Sequence, residues 1–215
     1  MNCPAFEDFV SHDRFSRYLA WAGGDRSRAV ELYSVNAKVS EALYIPLQAL
    51  EIALRNRIHH VASRLLIDEL DVFWFDRPEF QLGARQAEQV AKAKRDLIDA
   101  RKPVEPSRIV AAMTFGYWTA YFSSDYEELW RLGLHRIART ADGKALGRKQ
   151  FTQPLLPLRM LRNRVAHHEP ILDWSLDRHY STMLRLLDWL SPPAALWCKE
   201  NSRFEGLYHR PQLCR

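Results

Sequence analysis

Cysteine is scarce in this sequence. The 215 residues include three cysteines, Cys3, Cys198 and Cys214, and none belongs to a Cys-x-x-Cys pair. An odd number of cysteines near the chain ends is atypical of a disulfide framework and of a zinc site. We therefore expect a protein without a disulfide scaffold, a bound metal or another cofactor.

Long hydrophobic runs are also missing. No apolar stretch approaches the roughly 18–20 residues that a membrane helix requires, and the first residues lack the basic start and apolar stretch of a secretory signal. Glycine (8) and proline (11) are few and scattered, which excludes collagen-like and low-complexity chains. These features predict a globular, cytoplasmic protein without a membrane partner.

Positive charge is concentrated in one part of the sequence. The whole chain has a formal net charge of +5. Between Arg131 and His168, nine arginines and lysines stand against one acid, Asp142, whereas acids outnumber bases in the remainder. Such a concentrated excess indicates an anionic partner more strongly than the overall pI does. Arginine also far outnumbers lysine, which suits paired contacts to phosphate oxygens but is also explained by a GC-rich coding sequence.

The hydrophobic pattern has the helical period nearly throughout, without the alternation typical of strands. Gly23 and Gly24 end a first helix, Asp25 can cap a second, and Pro46 should kink or restart it. We predict an all-α helical bundle with a single domain over 1–215. The predicted helices are 6–21, 25–45, 47–65, a polar and peripheral 84–102, 109–122, 125–139, 154–168 (or from 157) and 176–190. The core should consist of the helices on either side of Pro46 and those at 109–122, 154–168 and 176–190.

The most informative segment is 158–170, LRMLRNRVAHHEP. On a helix, Asn163 and His167 are four residues apart and share one outward face, where an amide can orient an imidazole. Arg162 lies about 140° round the helix from His167, yet its long side chain can reach the same phosphate. The inward face is predicted to consist of Leu158, Leu161, Val165 and Ala166.

These groups suit RNA cleavage by attack of the 2′-hydroxyl on the adjacent phosphate. An imidazole with a pKa of about 6.5 can transfer a proton at neutral pH, and a guanidinium can stabilise the charge that develops on the phosphate oxygens. RNA carries its own nucleophile, so no metal is required, and DNA, which lacks the 2′-hydroxyl, would be spared. The alternative is a helix end whose cationic residues favour the C-terminal dipole. Pro170, just beyond the histidines, fits that alternative.

The string 161–168, Leu-Arg-Asn-Arg-Val-Ala-His-His, resembles the signature of the Abi-like (abortive-infection-type) proteins of the HEPN superfamily of helical ribonucleases. Their motif is an arginine, then four to six residues, then a histidine, with a polar residue after the arginine. Three further segments resemble the family in the same order: Tyr33–Asn36, 50–56 and 109–118. The resemblance covers about 6–190 and implies a HEPN-type bundle with additional peripheral helices.

The resemblance implies that Arg162 and His167 are catalytic, that Asn163 positions them, and that His168 can serve as a second imidazole. Family members generally act as metal-independent endoribonucleases that leave a 2′,3′-cyclic phosphate and a 5′-hydroxyl. They do so as homodimers with two motifs facing across one cleft, often as toxins or antiphage effectors. A homodimer also has a physical reason, because two facing motifs supply an acid, a base and two guanidinium groups. An antitoxin partner, protein or RNA, is left open.

A second copy of the pattern lies at 54–60, Leu-Arg-Asn-Arg-Ile-His-His, where Arg55 and His60 are also separated by four residues. Two interpretations stay open: a second basic wall of the RNA cleft, or the polar face of a long helix. A second catalytic centre is not predicted. The residues predicted to contact RNA are Arg55, Asn56, Arg148, Lys149, Arg159 and Arg164.

Other patterns are weaker. His59, His60, His167, His168 and Glu169 could suggest a metal cluster, but adjacent histidines point to different sides of a helix and no metal-binding spacing occurs. The aromatic side chains of 115–122 could stack on bases, but within an apolar helix we expect them in the core. Two other functions remain as alternatives: a non-catalytic RNA-binding or dimerisation module, and a regulatory protein that binds another protein.

Overall fold

Helices account for nearly all the regular structure of the protein. The computed structural model describes residues 3–65, 73–81, 83–209 and 213. Its α-helices are α1 (Cys3–Val10), α2 (His12–Trp21), α3 (Arg26–Ala42), α4 (Tyr44–Leu65), α5 (Ala84–Asp99), α6 (Pro106–Ala112), α7 (Phe115–Ala120), α8 (Glu127–Leu132), α9 (Arg148–Ala166), α10 (Leu176–Leu190), α11 (Pro192–Asn201) and α12 (Phe204–Leu207). Four short 3-10 helices lie at Trp74–Asp76, Pro78–Phe80, Ser124–Tyr126 and Leu134–Ile137. Within these residues β pairing is limited to an isolated bridge between Arg139 and Ala145, which confirms the all-α class.

Local signals in the sequence set the first long helices. Gly23 and Gly24 adopt positive φ angles of 63° and 90° directly after α2, a conformation that glycine adopts without strain. The carboxylate of Asp25 accepts a hydrogen bond from the backbone N–H of Arg28 at 3.0 Å and so caps α3. Pro46 lies in the first turn of α4, where the missing N–H of proline breaks no helical hydrogen bond. The expected cap and the restart at Pro46 are therefore confirmed.

Two predicted helices are divided in the structure. The segment 109–122 forms α6 and α7, separated at Met113 and Thr114, because the Thr114 hydroxyl accepts from the Tyr117 N–H at 3.3 Å and starts a new helix. The segment 125–139 consists of a 3-10 turn, α8 and a second 3-10 turn, with Gly133 between the last two. The apolar pattern alone does not reveal these interruptions.

The helix that carries the 161–168 pattern is longer than predicted. It begins at Arg148, and Pro154 and Pro157 both lie inside it. The side chain of Gln150 accepts a hydrogen bond from the Gly147 N–H at 2.7 Å and satisfies a backbone donor at the start of the helix. The prediction that this helix starts at one of the prolines is therefore wrong.

α4 lies at the centre of the packing. It contacts α10, α11 and the 3-10 turn at Leu134–Ile137, while α9 packs against α7 and α10. The predicted core helices all contribute to one continuous apolar cluster. The aromatic side chains of 115–122 belong to it: Tyr117, Trp118 and Tyr121 are almost fully buried, as expected for core residues. None of the helices in the described ranges combines the length and the apolar character that crossing a lipid bilayer requires.

Candidate functional site

A groove of about 790 Å³ separates the α3–α4 pair from the C-terminal end of α9. We call it the α4–α9 groove. Along α4 it is lined by Tyr44, Gln48, Glu51, Ile52 and Arg55, and across from them by Arg162, Val165, Ala166 and His168. Apolar and aromatic side chains of α3 and α4, among them Tyr33 and Leu47, complete its walls. The groove combines apolar walls with a few polar and charged groups, which is typical of ligand-binding sites.

Two arginines from distant parts of the sequence line the same groove. Arg55 belongs to the 54–60 pattern and Arg162 to the 161–168 pattern. The Arg162 guanidinium lies 3.5 Å from the carboxylate of Glu51. The Nε atom of Arg55 is buried and has no hydrogen-bond partner among the described residues. The other acidic residue of the lining, Glu41, forms an ion pair with Arg203. Beside Arg55 and Arg162 the lining therefore has one carboxylate, that of Glu51, and this part of the groove favours an anion.

The end of α9 directs the two adjacent histidines differently. The backbone N–H of His168 donates to the Val165 carbonyl at 3.2 Å, and that of Glu169 donates to the Arg164 carbonyl at 2.8 Å. These two bonds form a Schellman motif, whose left-handed position is usually occupied by glycine. Here it is occupied by His168, with φ at 56°. A non-glycine residue in this conformation costs about 1 kcal/mol.

The groove therefore contains one of the two predicted imidazoles. His168 is among the residues that line it, whereas His167 and Asn163 are exposed outside its lining. Ala166 is also exposed and lines the groove, so its predicted inward position is wrong. At 100° per residue Ala166 lies about 40° from Arg162, which places it on the groove side of α9 rather than in the core. The left-handed conformation begins two residues later, at His168.

Asn36 holds the chain that leaves α9. Its side chain is buried, with 4% of the residue surface exposed. Its Oδ1 accepts from the Ile171 N–H at 2.8 Å, and its Nδ2 donates to the Glu169 carbonyl at 3.3 Å. Sequence reasoning placed Asn36 in a segment of family resemblance without a role. The available signal was a polar residue within the apolar stripe of α3.

Two of the predicted RNA contacts are engaged within the protein. Arg148, whose side chain is 11% exposed, binds the Glu127 carboxylate and the Phe122 carbonyl, each at 2.7 Å. Arg164 donates to the Pro170 carbonyl at 2.9 Å, and its guanidinium lies over the Trp174 ring. The burial of Arg148 and the two contacts of Arg164 suit structural roles.

The other predicted RNA contacts keep solvent access. Lys149 and Asn56 are exposed and Arg159 is partly exposed; none of the three lines the α4–α9 groove. Their contact with RNA stays a prediction.

Nearby carboxylates offset part of the positive charge of the basic segment 131–168. Five of its nine cations form ion pairs with carboxylates, four of which lie outside the segment. The pairs are Arg131–Glu128, Lys144–Asp142, Arg148–Glu127, Arg162–Glu51 and Arg164–Glu169. These carboxylates offset part of the positive charge of the segment.

The 54–60 pattern divides between structural and groove-lining residues. Arg57 donates to the Ile137 carbonyl at 2.8 Å and links α4 to the 3-10 turn at Leu134–Ile137. His59 accepts from the Trp74 indole N–H at 2.9 Å, and burial lowers its pKa. His60 is exposed beside Arg64. Arg55 is the member of this pattern that lines the groove, and its contact with RNA stays a prediction.

Two further observations bear on the site: the arrangement of possible metal ligands and the similarity of the chain to known proteins. Among the described residues, no group of three or more histidine, cysteine or acidic side chains is arranged to hold a metal ion. Comparison of the chain with protein-family models, curated proteins and solved structures gave no match.

We expect the Asn36→Ala substitution to destabilise the protein by about 2 kcal/mol, because it leaves the Ile171 N–H and the Glu169 carbonyl without partners. Urea denaturation measures the change. Asn201→Ala is the control, since Asn201 is exposed and donates only to the Trp197 carbonyl in its own helix. This control should change stability by less than about 0.5 kcal/mol. Equal effects of the two substitutions would contradict the role assigned to Asn36.

We expect His168→Gly to stabilise the protein by about 1 kcal/mol in the same assay, because glycine adopts the left-handed conformation without strain. His168→Ala should give no such gain. Arg101→Gly is a matched control, since Arg101 has φ at 53° in the same hydrogen-bonded geometry after α5, and it should be similarly stabilising. A loss of stability in His168→Gly would show that the imidazole itself contributes to folding.

Proposed function

We propose that this protein is a metal-independent endoribonuclease of HEPN type, an Abi-like antiphage effector or toxin that acts on RNA. The observation that carries the proposal is the α4–α9 groove, whose lining brings together Arg162, His168 and Arg55. The resemblance of 161–168 to the family motif supports it independently. A cytoplasmic location suits an RNA substrate and belongs to the same proposal.

The reaction requires a proton acceptor, a proton donor and a cation. A neutral imidazole removes the proton from the 2′-hydroxyl, whose oxygen forms a bond to the adjacent phosphorus. The bond from phosphorus to the 5′-oxygen breaks, and a second, protonated imidazole donates its proton to that leaving oxygen. Arg162 stabilises the negative charge on the phosphate oxygens in the transition state. The products are a 2′,3′-cyclic phosphate and a 5′-hydroxyl.

A homodimer would supply the second imidazole. His167 lies outside the groove lining of its own protomer, on the exposed surface that also carries Asn163. On the same side of α9, Leu156 and Met160 are 53% and 51% exposed. An apolar pair beside a functional residue suits coverage by a second copy. In the proposed site, His167 of one protomer faces Arg162 of the other.

A non-catalytic RNA-binding or dimerisation module is the second candidate. The ion pair of Arg162 with Glu51 favours this candidate. A guanidinium that is engaged with a carboxylate is less available to stabilise the phosphate in the transition state of cleavage. Such a module would bind RNA with a steep salt dependence and form no cleavage product. Cleavage assays therefore distinguish the two candidates directly.

We expect Arg162→Ala and His167→Ala each to reduce RNA cleavage by about 100-fold or more, as removal of a charge-stabilising group or a proton-transfer group does. Cleavage of labelled RNA in the presence of EDTA measures the loss. Arg95→Ala is the charge-matched control, since Arg95 is exposed on the peripheral α5, and it should cleave at the parental rate. Unchanged cleavage in both site variants would refute the ribonuclease proposal.

We expect a mixture of the inactive Arg162→Ala and His167→Ala proteins to regain about a quarter of the parental activity after subunit exchange. Half of the dimers would be mixed, and each mixed dimer would hold one of its two composite sites intact. If both residues acted within one protomer, every site in the mixture would lack one of them.

Disruption of the interface supplies a second measurement of the same dimer. Leu156→Glu should yield monomers in sedimentation velocity, because it places a charge in the proposed apolar contact. Ile98→Glu is the control, since Ile98 is 62% exposed on α5. The absence of restored activity, together with an unchanged mass for Leu156→Glu, would contradict the composite site.

A further inference from the structure

Two buried polar atoms on the α4–α9 groove have no partner. Among the described residues, the Ser40 hydroxyl and the Arg55 Nε are buried without a hydrogen bond, and both residues line the groove. A buried polar group without a partner is costly, and native proteins hold few of them. A matched control lies in the same helix, where Ser34 donates its hydroxyl hydrogen to the Val30 carbonyl at 3.0 Å. The two unpartnered atoms point to a ligand that supplies the missing bonds.

The α4 side of the groove has an aromatic end and a cationic end. Tyr44, Gln48 and Arg55 follow one another along the lining of α4, and the helical rise places Arg55 about 10 Å beyond Gln48. Tyr44 is 63% exposed at the first position of α4. An exposed tyrosine at the edge of a groove offers a face on which a planar ring can stack.

The groove thus presents three kinds of contact. Tyr44, Tyr33 and Leu47 provide aromatic and apolar surface, Ser40 and Gln48 provide hydrogen-bonding groups, and Arg55 and Arg162 provide positive charge. A nucleotide carries the complementary groups, which are a flat base with polar edges, a sugar and a phosphate. A nonspecific contact to the RNA backbone would use the charge but would leave the first two sets of groups without a partner.

We propose that the α4–α9 groove binds one nucleobase of the RNA strand, the base on the 5′ side of the cleaved bond. This base stacks on Tyr44, and Ser40 and Gln48 form hydrogen bonds with its edge, while its 3′-phosphate lies at Arg55 and Arg162. The inference rests on the proposed ribonuclease function and adds that cleavage depends on the identity of this base. Ser40, Tyr44 and Gln48 are then specificity-determining residues.

Cleavage of a random-sequence RNA pool tests the inference, with the base at each new 3′ end identified by sequencing. The parent protein should show a preference for one base or one pair of bases at that position. Tyr44→Ala should lower cleavage after the preferred base about ten-fold, within the range expected for loss of one stacked base, while Tyr44→Phe retains it. Ser40→Ala should weaken the preference, whereas the control Ser34→Ala should leave it unchanged.

Binding of the four nucleoside 3′-monophosphates to the full chain, measured by calorimetry, separates the inference from the ribonuclease proposal. Nucleotide binding that is weakened by Tyr44→Ala supports the inference even if no RNA is cleaved, and in that case only the ribonuclease proposal fails. RNA cleavage without base preference, unaffected by Ser40→Ala and Tyr44→Ala, overturns the inference and leaves the ribonuclease proposal standing.

Oligomeric state provides a further outcome. Loss of dimers in Tyr44→Ala, together with no nucleotide binding by the parent, would assign this groove to contact between two copies and would overturn the inference. Tyr44 and Gln48 are exposed, so substitutions there should leave the urea denaturation midpoint close to that of the parent.

Discussion

The pair of hydrogen bonds made by Asn36 is the constraint on which the geometry of the groove depends. They join the middle of α3 to the backbone just beyond α9, at Glu169 and Ile171. One wall of the groove comes from α3 and α4, and the other comes from the end of α9. Because the bonded amide is buried, water competes poorly for these contacts. The position of His168 relative to Arg55 is therefore fixed by a residue that belongs to neither motif.

The positive charge at the groove is not evident from the distribution of charged residues along the sequence. The basic segment concentrates positive charge along the sequence, but five of its nine cations form ion pairs with carboxylates. The concentrated charge arises instead where Arg55 and Arg162, which are far apart in sequence, meet across the groove beside Glu51. Two arginines that line one groove hold a phosphate more selectively than a diffuse surface does, since guanidinium groups at defined positions can bind its oxygens in pairs.

Sequence reasoning recovered the features that local rules determine. Asp25 caps α3 because a carboxylate before a helix accepts from its first free N–H groups, and α10 spans Leu176–Leu190 as the periodicity predicted. The break at Thr114 and the start of α9 before its prolines depended on side-chain bonds that compete with the apolar pattern. Which histidine would line the groove was decided by the left-handed turn at His168, where helical angles no longer apply. The role of Asn36 depends on its bonds to Glu169 and Ile171, which lie 133 and 135 positions further along the chain. No local sequence pattern contains such contacts.

The two prolines of α9 have a mechanical consequence. Pro154 and Pro157 lack the N–H groups that would otherwise bond to the carbonyls of residues 150 and 153, so the hydrogen-bond ladder is interrupted in the middle of the helix. Packing of Phe151, Leu155 and Leu158 holds this turn in place of the missing bonds. Helices bend most readily where their ladder is broken. Because Asn36 ties the far end of α9 to α3, a bend at this turn would displace the first turns of α9 more readily than the groove wall at Arg162.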